Sequence, residues 1–281
     1  MKNYDQIFPE SAKLWKNRHV RAHKYLQQGI AWYNGIFKVK YHVDHSKITE
    51  GSIPIFLLNF NRLTSLKNLI NWFSSLQPKT SVVIVDSAST MPELLEYYTQ
   101  IEKKSNVQVI RSTKNYHDNR VLITAVQSVK NVNYYIVSDT DLEPYPSTPK
   151  DILSTLINKL NENPEVNHVG PSLEINDIPD HYPFKEDIKL WETRFWADAE
   201  DETSFKAHLD TTFSAYRGTS SIHHSKKALR LNRPYSLKHI DWYVNPENLS
   251  DEYKYMLRHC NSRSTWNTKI KMHLKHIGHE L

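Results

Sequence analysis

The sequence predicts an α/β fold with a mostly parallel central sheet flanked by helices. Three observations carry this. Four short apolar runs, IPIFLLNF, SVVIVD, VQVIRS and NYYIVSD, read as strands. The segments between them place apolar residues at helical spacing. The connections are only a few residues long, as in a chain that alternates strand and helix around one sheet.

Taken in order, residues 9–34 read as a helix, with Trp15, Val20, Leu26, Ile30 and Trp32 roughly on one side, followed by the irregular or strand-like FKVKYHV. Residues 1–51 are therefore expected to be an N-terminal helical extension. The texture changes at Ser52. IPIFLLNF is continuous apolar sequence, suited to a strand covered on both faces, and NRLTSLKNLINWFSSL brings Leu63, Leu66, Leu69, Ile70 and Phe73 to one helix face. SVVIVD (strand), MPELLEYYTQIEKK (helix), VQVIRS (strand), NRVLITAVQSVK (helix) and NYYIVSD (strand) complete a first half spanning 52–145. Residues 146–281 form a second half of the same domain, with a looser pattern. It begins with a helix at 150–162 and a strand from Val166 to Leu173. The aromatic and acidic stretch KLWETRFWADAEDE follows, then HLDTTFSAYR as a further strand. The terminal WNTKIKMHLKHIGHEL reads as a basic helix with Ile270, Leu274 and Ile277 on one side, either docked on the body or in contact with a membrane surface.

Composition narrows the class. The chain has 281 residues, and its six glycines and thirteen prolines follow no period, which excludes collagenous and repeat architectures. Cys260 is the single cysteine, so an intramolecular disulfide and a multi-cysteine metal site are both excluded. The N-terminus lacks the apolar core of a signal peptide, and no run of about 18 apolar residues occurs. A cytoplasmic protein is expected. Its net charge of +5 is uneven: Lys and Arg outnumber Asp and Glu nine to four over residues 1–50 and eleven to five over 222–281, while acids lead twenty-two to sixteen between them. Basic termini suit peripheral contact with anionic membrane lipid. The acidic centre argues against nucleic acid as a partner, since that would need a basic stripe interleaved with aromatics.

Ligands of open parallel sheets bind beyond the carboxyl ends of the strands. Asp86 ends the second strand and Asp139-Thr140-Asp141 ends the fourth, so both line one crevice. Two carboxylates at i and i+2 in a turn can face a hard divalent cation, whose shell is completed by substrate phosphates and water. This is a reason for an apolar strand to stop on aspartates: Mg²⁺ or Mn²⁺ held there would in turn hold a diphosphate.

In three pieces, FLLNFNRLTSLKNLI, VVIVDSAST and IVSDTDLEP, the chain resembles GT-A fold glycosyltransferases, close to the family 2 group. The likeness covers 52–145 well and 205–266 more loosely. It implies a Rossmann-like nucleotide-diphospho-sugar transferase fold, a nucleotide-sugar-binding half at 52–145 and an acceptor-binding half at 146–281. Asn59, Asn61 and Arg62 would then border base and ribose, and Asp86 would accept hydrogen bonds from base or sugar, unless it only caps its own turn. Asp139 would meet the ribose or the metal, with Thr140 beside it, and Asp141 would be the direct metal ligand. STKNYHDNRVL departs from the commonest family pattern in lacking a glycine, and Asn115 and Arg120 are its expected donor contacts.

The resemblance further implies transfer from a nucleotide sugar, a UDP-sugar first, to a glycan or lipid-linked glycan in cell-surface polysaccharide or glycoconjugate synthesis. Inversion is the expected outcome, with a retaining enzyme as the alternative. Inversion needs a carboxylate to take the acceptor proton. Asp210 is the first choice because a carboxylate in an apolar, aromatic segment is costly without a purpose. Asp198, Glu200, Asp201 and Glu202 compete but read as a solvated loop. A further metal ligand from the second half is expected at His239, with His223 and His224 as alternatives, and an imidazole favours Mn²⁺ over Mg²⁺. Trp191 or Trp242 would offer a ring for an acceptor sugar to stack on. Sugar-phosphate nucleotidyltransferases need a glycine-rich phosphate loop that NFNRLTS lacks. A non-catalytic nucleotide- or glycan-binding domain is the reading from another class.

Overall fold

The structure, a computed structural model, describes residues 41–116, 119–129, 131–220, 222, 227–260 and 265–279. The helix expected over 9–34 and both His223 and His224 lie outside these residues. The first half alternates as the sequence indicates: β1 (Ile53–Asn59), α1 (Thr64–Ser74), β2 (Thr80–Asp86), α2 (Pro92–Ile101), β3 (Val107–Arg111), α3 (Arg120–Ser128) and β4 (Tyr134–Asp139). Every residue of β2 is buried and β1 is nearly so, which is why these strands are apolar without alternation. Successive side chains still serve opposite faces. Ile55 and Leu57 pack with Leu66, Leu69 and Phe73 of α1, whereas Phe56 packs with Leu122 and Ala125 of α3.

The second half contributes β5 (Leu142–Pro144), α4 (Ile152–Glu162), β6 (His168–Pro171), α5 (Lys185–Glu192), β7 (Ala199–Asp201), β8 (Ser204–Lys206), β9 (Ser214–Arg217), β10 (Ala228–Leu231), β11 (Leu237–His239), α6 (Asp251–His259) and α7 (Thr265–His276). One sheet runs in the order β3-β2-β1-β4-β9-β6-β10-β8-β7, and all its strands except β9 and β8 share one direction. The fold is GT-A. Antiparallel β9 joins the halves: the Tyr216 ring lies between Tyr135 of β4 at 5.2 Å and His168 of β6 at 4.9 Å. Just past β9, Gly218 passes so close to Val132 that a Cβ there would fall 1.7 Å from its carbonyl oxygen. A second, two-stranded sheet pairs β5 with β11 antiparallel, with His239 opposite Leu142.

HLDTTFSAYR is only half a strand. Asp210 to Phe213 forms a turn: the Asp210 carboxylate accepts from the Thr211 N–H, the Ser214 hydroxyl donates to the Asp210 carbonyl, and Phe213 sits at φ 44°. Phe213 is held in that left-handed conformation by rings, Trp72 at 4.9 Å and Phe73 at 5.7 Å. The strand expected from Val166 to Leu173 shortens to β6, and the aromatic, acidic stretch runs from the end of α5 through β7. On α7, Ile270 and Leu274 are buried and Lys269 pairs with Asp187 at 2.8 Å, while Ile277 stays exposed. The helix is docked on the body. No helix among the described residues is long and apolar enough to cross a membrane.

Candidate active site

The site forms where β1, β2 and β4 end. Asp139 terminates β4, and two residues on, Asp141 precedes β5. The β5–β11 pairing delivers the other side: Ile240 N–H donates to the Asp141 carbonyl at 2.8 Å, and His239 Nε2 lies 3.7 Å from Asp141 Oδ2. Asp241 completes the group, with one ligand atom from each of Asp141, His239 and Asp241 lying within 4.8 Å of the others. The expected pair of Asp141 and His239 is thus brought together.

Asp241 was not anticipated, although its H-x-D spacing from His239 repeats the i, i+2 logic of the D-x-D. One of its oxygens accepts from Arg62 Nη2 at 2.7 Å, and the other, Oδ1, is buried without a hydrogen-bond partner among the described residues. A buried carboxylate oxygen left open beside a second carboxylate and an imidazole fits a divalent cation. The oxygen-rich set suits Mg²⁺ or Mn²⁺, and the imidazole favours Mn²⁺. His239 is oriented by stacking on Trp242, ring centroids 4.7 Å apart. Trp242 is itself fully buried, so it belongs to the core and offers no face to an acceptor; Trp191 remains half-buried.

Burial alone would weaken the charge on Arg62, but the negative charges of Asp241 and Asp141 outweigh it and hold the guanidinium more firmly protonated than usual. Its ion pair with Asp241 fixes that carboxylate in place.

Asp139 stands outside the three-residue cluster. Its Oδ2 accepts from the Thr211 hydroxyl, and its N–H donates to the Thr211 carbonyl at 3.1 Å. Burial, then the charges of Asp141 and Asp210, pushes its carboxyl well above the ordinary range. The turn that interrupts the expected strand is therefore what carries exposed Asp210 to the end of β4, despite a separation of about seventy residues in the chain. Two of the competing acids are engaged in the β7–β8 hairpin: Asp201 pairs with Lys159 and Glu200 with Lys206.

The residues expected around a nucleotide form a buried polar chain. Thr140 donates to Asn59 Oδ1 at 3.0 Å, Asn59 Nδ2 to the Tyr98 hydroxyl at 2.8 Å, and that hydroxyl to Asp86 Oδ1 at 2.7 Å. Asp86 Oδ2 accepts from Ser89 N–H at 2.9 Å, so this carboxylate, 0% exposed, braces the loop after β2 with both oxygens. Asn61 takes φ 50°, a conformation Asn tolerates better than most residues, and its side-chain oxygen accepts from the N–H groups of Thr90 and Met91. The turn after β1 is thereby tied to the start of α2. Asn115 and Arg120 lie farther out, half-buried, with Arg120 opening α3 and its guanidinium 4.7 Å from the Tyr116 ring centroid.

A family model described as "Glycosyl transferase family 2" matches residues 55–225. No curated protein matches the sequence. Among solved structures, the mannosyltransferase PcManGT from Pyrobaculum calidifontis, in complex with GDP-Man and Mn²⁺, is 16% identical over 67% of this chain and 51% of that one, with TM-score 0.41. S. aureus TarS is 13% identical over 80% of this chain and 43% of that one, with TM-score 0.44. A 1–349 form of TarS in complex with UDP is 13% identical over 81% of this chain and 72% of that one, with TM-score 0.43. The chain thus spans about half the length of the first two.

Proposed function

From the premise that this chain belongs to glycosyl transferase family 2, we propose that it moves a sugar from a nucleotide-sugar donor, a UDP-sugar first, to a hydroxyl of a glycan or lipid-linked glycan, with inversion. The observation that carries the proposal is the Asp141, His239 and Asp241 cluster at the carboxyl end of the parallel strands. These side chains would hold Mn²⁺ or Mg²⁺. When bound, the cation offsets charge that develops on the leaving diphosphate.

The chain's own residues supply the rest. Asp210 accepts the proton as the acceptor oxygen bonds to the anomeric carbon. The bond from that carbon to the diphosphate oxygen breaks on the opposite face, and the electron pair leaves with the nucleoside diphosphate. Arg62 holds Asp241 in position, and Thr211 holds Asp139 beside Asp210. Asn115 and Arg120 meet the donor from the open side. Asn59, Asn61, Asp86 and Thr140 build the floor on which the base and ribose lie.

The test is release of nucleoside diphosphate from a panel of UDP-, GDP- and CDP-sugars with Mn²⁺, water or glycan serving as acceptor. Asp210→Asn is expected to lower kcat by about 100-fold or more while the nucleotide still binds. Activity unchanged in that variant removes Asp210 as the base, and a product with retained anomeric configuration overturns inversion.

A further inference from the structure

The side chains that could hold a cation are carried by a very short ribbon. β5 and β11 pair over only three residues each, and Asp141, His239 and Asp241 sit at or just beyond their ends. A two-stranded ribbon is marginally stable by itself, so its position is imposed by the contacts around it. At the start of β11 these are backbone bonds to the chain after β6. The Leu237 N–H donates to the Ser172 carbonyl at 3.0 Å, and the Glu174 N–H donates to the Leu237 carbonyl at 2.9 Å. The other end carries His239 and Asp241, and there side chains take over.

Successive residues of β11 face opposite ways, so Lys238, paired with Glu143, lies on the reverse of the ribbon from His239. Its Nζ is 4.9 Å from the ring centroid of Tyr145, one residue past β5, and 5.2 Å from that of Tyr243, two residues past Asp241. Both tyrosines reach one carboxylate. The Tyr145 hydroxyl donates to Asp177 Oδ2 at 2.8 Å, and the Tyr243 hydroxyl donates to Asp177 Oδ1 at 2.5 Å. Asp177 belongs to the loop after β6 and is exposed. A single side chain of that loop thus clasps the chain just past β5 to the chain just past Asp241.

A hard divalent cation takes its oxygen ligands at about 2.1 Å, and a site whose ligands are about 1 Å out of place no longer holds it. Asp141 precedes β5, whereas His239 and Asp241 come from the end of β11, so any sliding or splaying of the two strands separates the ligand atoms. We propose that Asp177 is a positioning residue for the cation site: through Tyr145 and Tyr243 it clamps the two strands together and keeps His239 and Asp241 at coordinating distance from Asp141. This role presupposes the cation reading of the cluster given above. Because Asp177 is exposed, its loss leaves the packed core intact and is felt at the site rather than in global stability.

The experiment is titration of the full chain with Mn²⁺ alone, followed by the electron paramagnetic resonance signal of the free ion, with urea unfolding of the same samples. Asp177→Ala is expected to weaken Mn²⁺ binding about tenfold or more, while the unfolding midpoint stays close to that of the native chain. The double variant Tyr145→Phe, Tyr243→Phe removes the same two hydrogen bonds and is expected to match it. Asp177→Asn keeps one side-chain oxygen to accept and is expected to fall between. Tyr134→Phe removes a tyrosine hydrogen bond, to Asn161 at 2.8 Å, at the amino end of β4, and is expected to leave Mn²⁺ binding unchanged. Native affinity in Asp177→Ala or in the double variant overturns the positioning role. So does a loss that Tyr134→Phe shares, or one matched by a fall in the unfolding midpoint. Each of these outcomes leaves the cation reading standing where the native chain binds Mn²⁺ and Asp141→Ala does not. A native chain that binds no Mn²⁺ overturns that reading and the positioning role with it.

Discussion

Arg62 is the residue on which the site's geometry turns. Its side chain is buried with Asp241 in an ion pair, and removing one partner of such a pair leaves an uncompensated buried charge. Arg62→Met is expected to destabilise the chain by about 3 to 5 kcal/mol in urea denaturation. The double variant Arg62→Met, Asp241→Leu should recover much of that stability, though not metal-dependent nucleotide binding. If the single variant loses less than about 1 kcal/mol, the pair contributes little and Asp241 is positioned by something else. The D-x-D could be read directly because it closes an apolar strand. Asp241 could not, because its partners Arg62 and Asp141 are remote in sequence and meet it only through the pairing of β5 with β11. Asp86 shows the opposite limit: its position at a strand end is legible, but its bonds to Tyr98 and Ser89 depend on how α2 packs.

Two tertiary contacts between elements carry testable weight. Glu252 of α6 accepts from the N–H groups of Leu63 and Thr64 at 2.8 and 3.0 Å, so a side chain from far along the sequence serves as the acidic cap of α1. Glu252→Ala should cost about 1 to 2 kcal/mol, read by thermal or urea unfolding, whereas Glu252→Gln should retain part of the cap. Glu174, in the loop after β6, receives two hydrogen bonds from Arg233, each 2.6 Å. Burial opposes its ionisation, yet Arg233 and the N–H groups of Asn176 and Ile175 prevail and hold the carboxyl below its usual range. A carboxyl lowered in the folded state contributes stability above its unfolded pKa, about 4.3, and loses it as pH falls from there through the folded value. Glu174→Gln should therefore be less stable than the native chain near pH 7, by roughly 1 to 3 kcal/mol, and the gap should narrow in acid below about pH 4. A gap that stays constant down to pH 2 contradicts this assignment. The first four strands and their helices were readable because strand burial and helix periodicity are local signals. The HLDTTF turn was not, since its break depends on Phe213 meeting Trp72 and Phe73.

Across the whole molecule, the nine-stranded sheet does more than bury a core. The parallel half gathers strand ends and polar turns at one edge. The second half inserts β9 antiparallel beside β4, so the turn ahead of β9 brings Asp210 to the same edge, and the small β5–β11 sheet brings His239 and Asp241. Strand order of this kind follows from long-range pairing, which no window of sequence specifies. The second half was accordingly legible as a separate texture but not as an architecture. The cation cluster is tested by calorimetric titration of UDP, GDP and CDP, with and without Mn²⁺, on the native chain, Asp141→Ala and Asp241→Ala. One nucleotide is expected to bind in a Mn²⁺-dependent way, and each substitution is expected to abolish the Mn²⁺ dependence. Binding indifferent to the metal and to both aspartates, or no nucleotide binding at all, would contradict it.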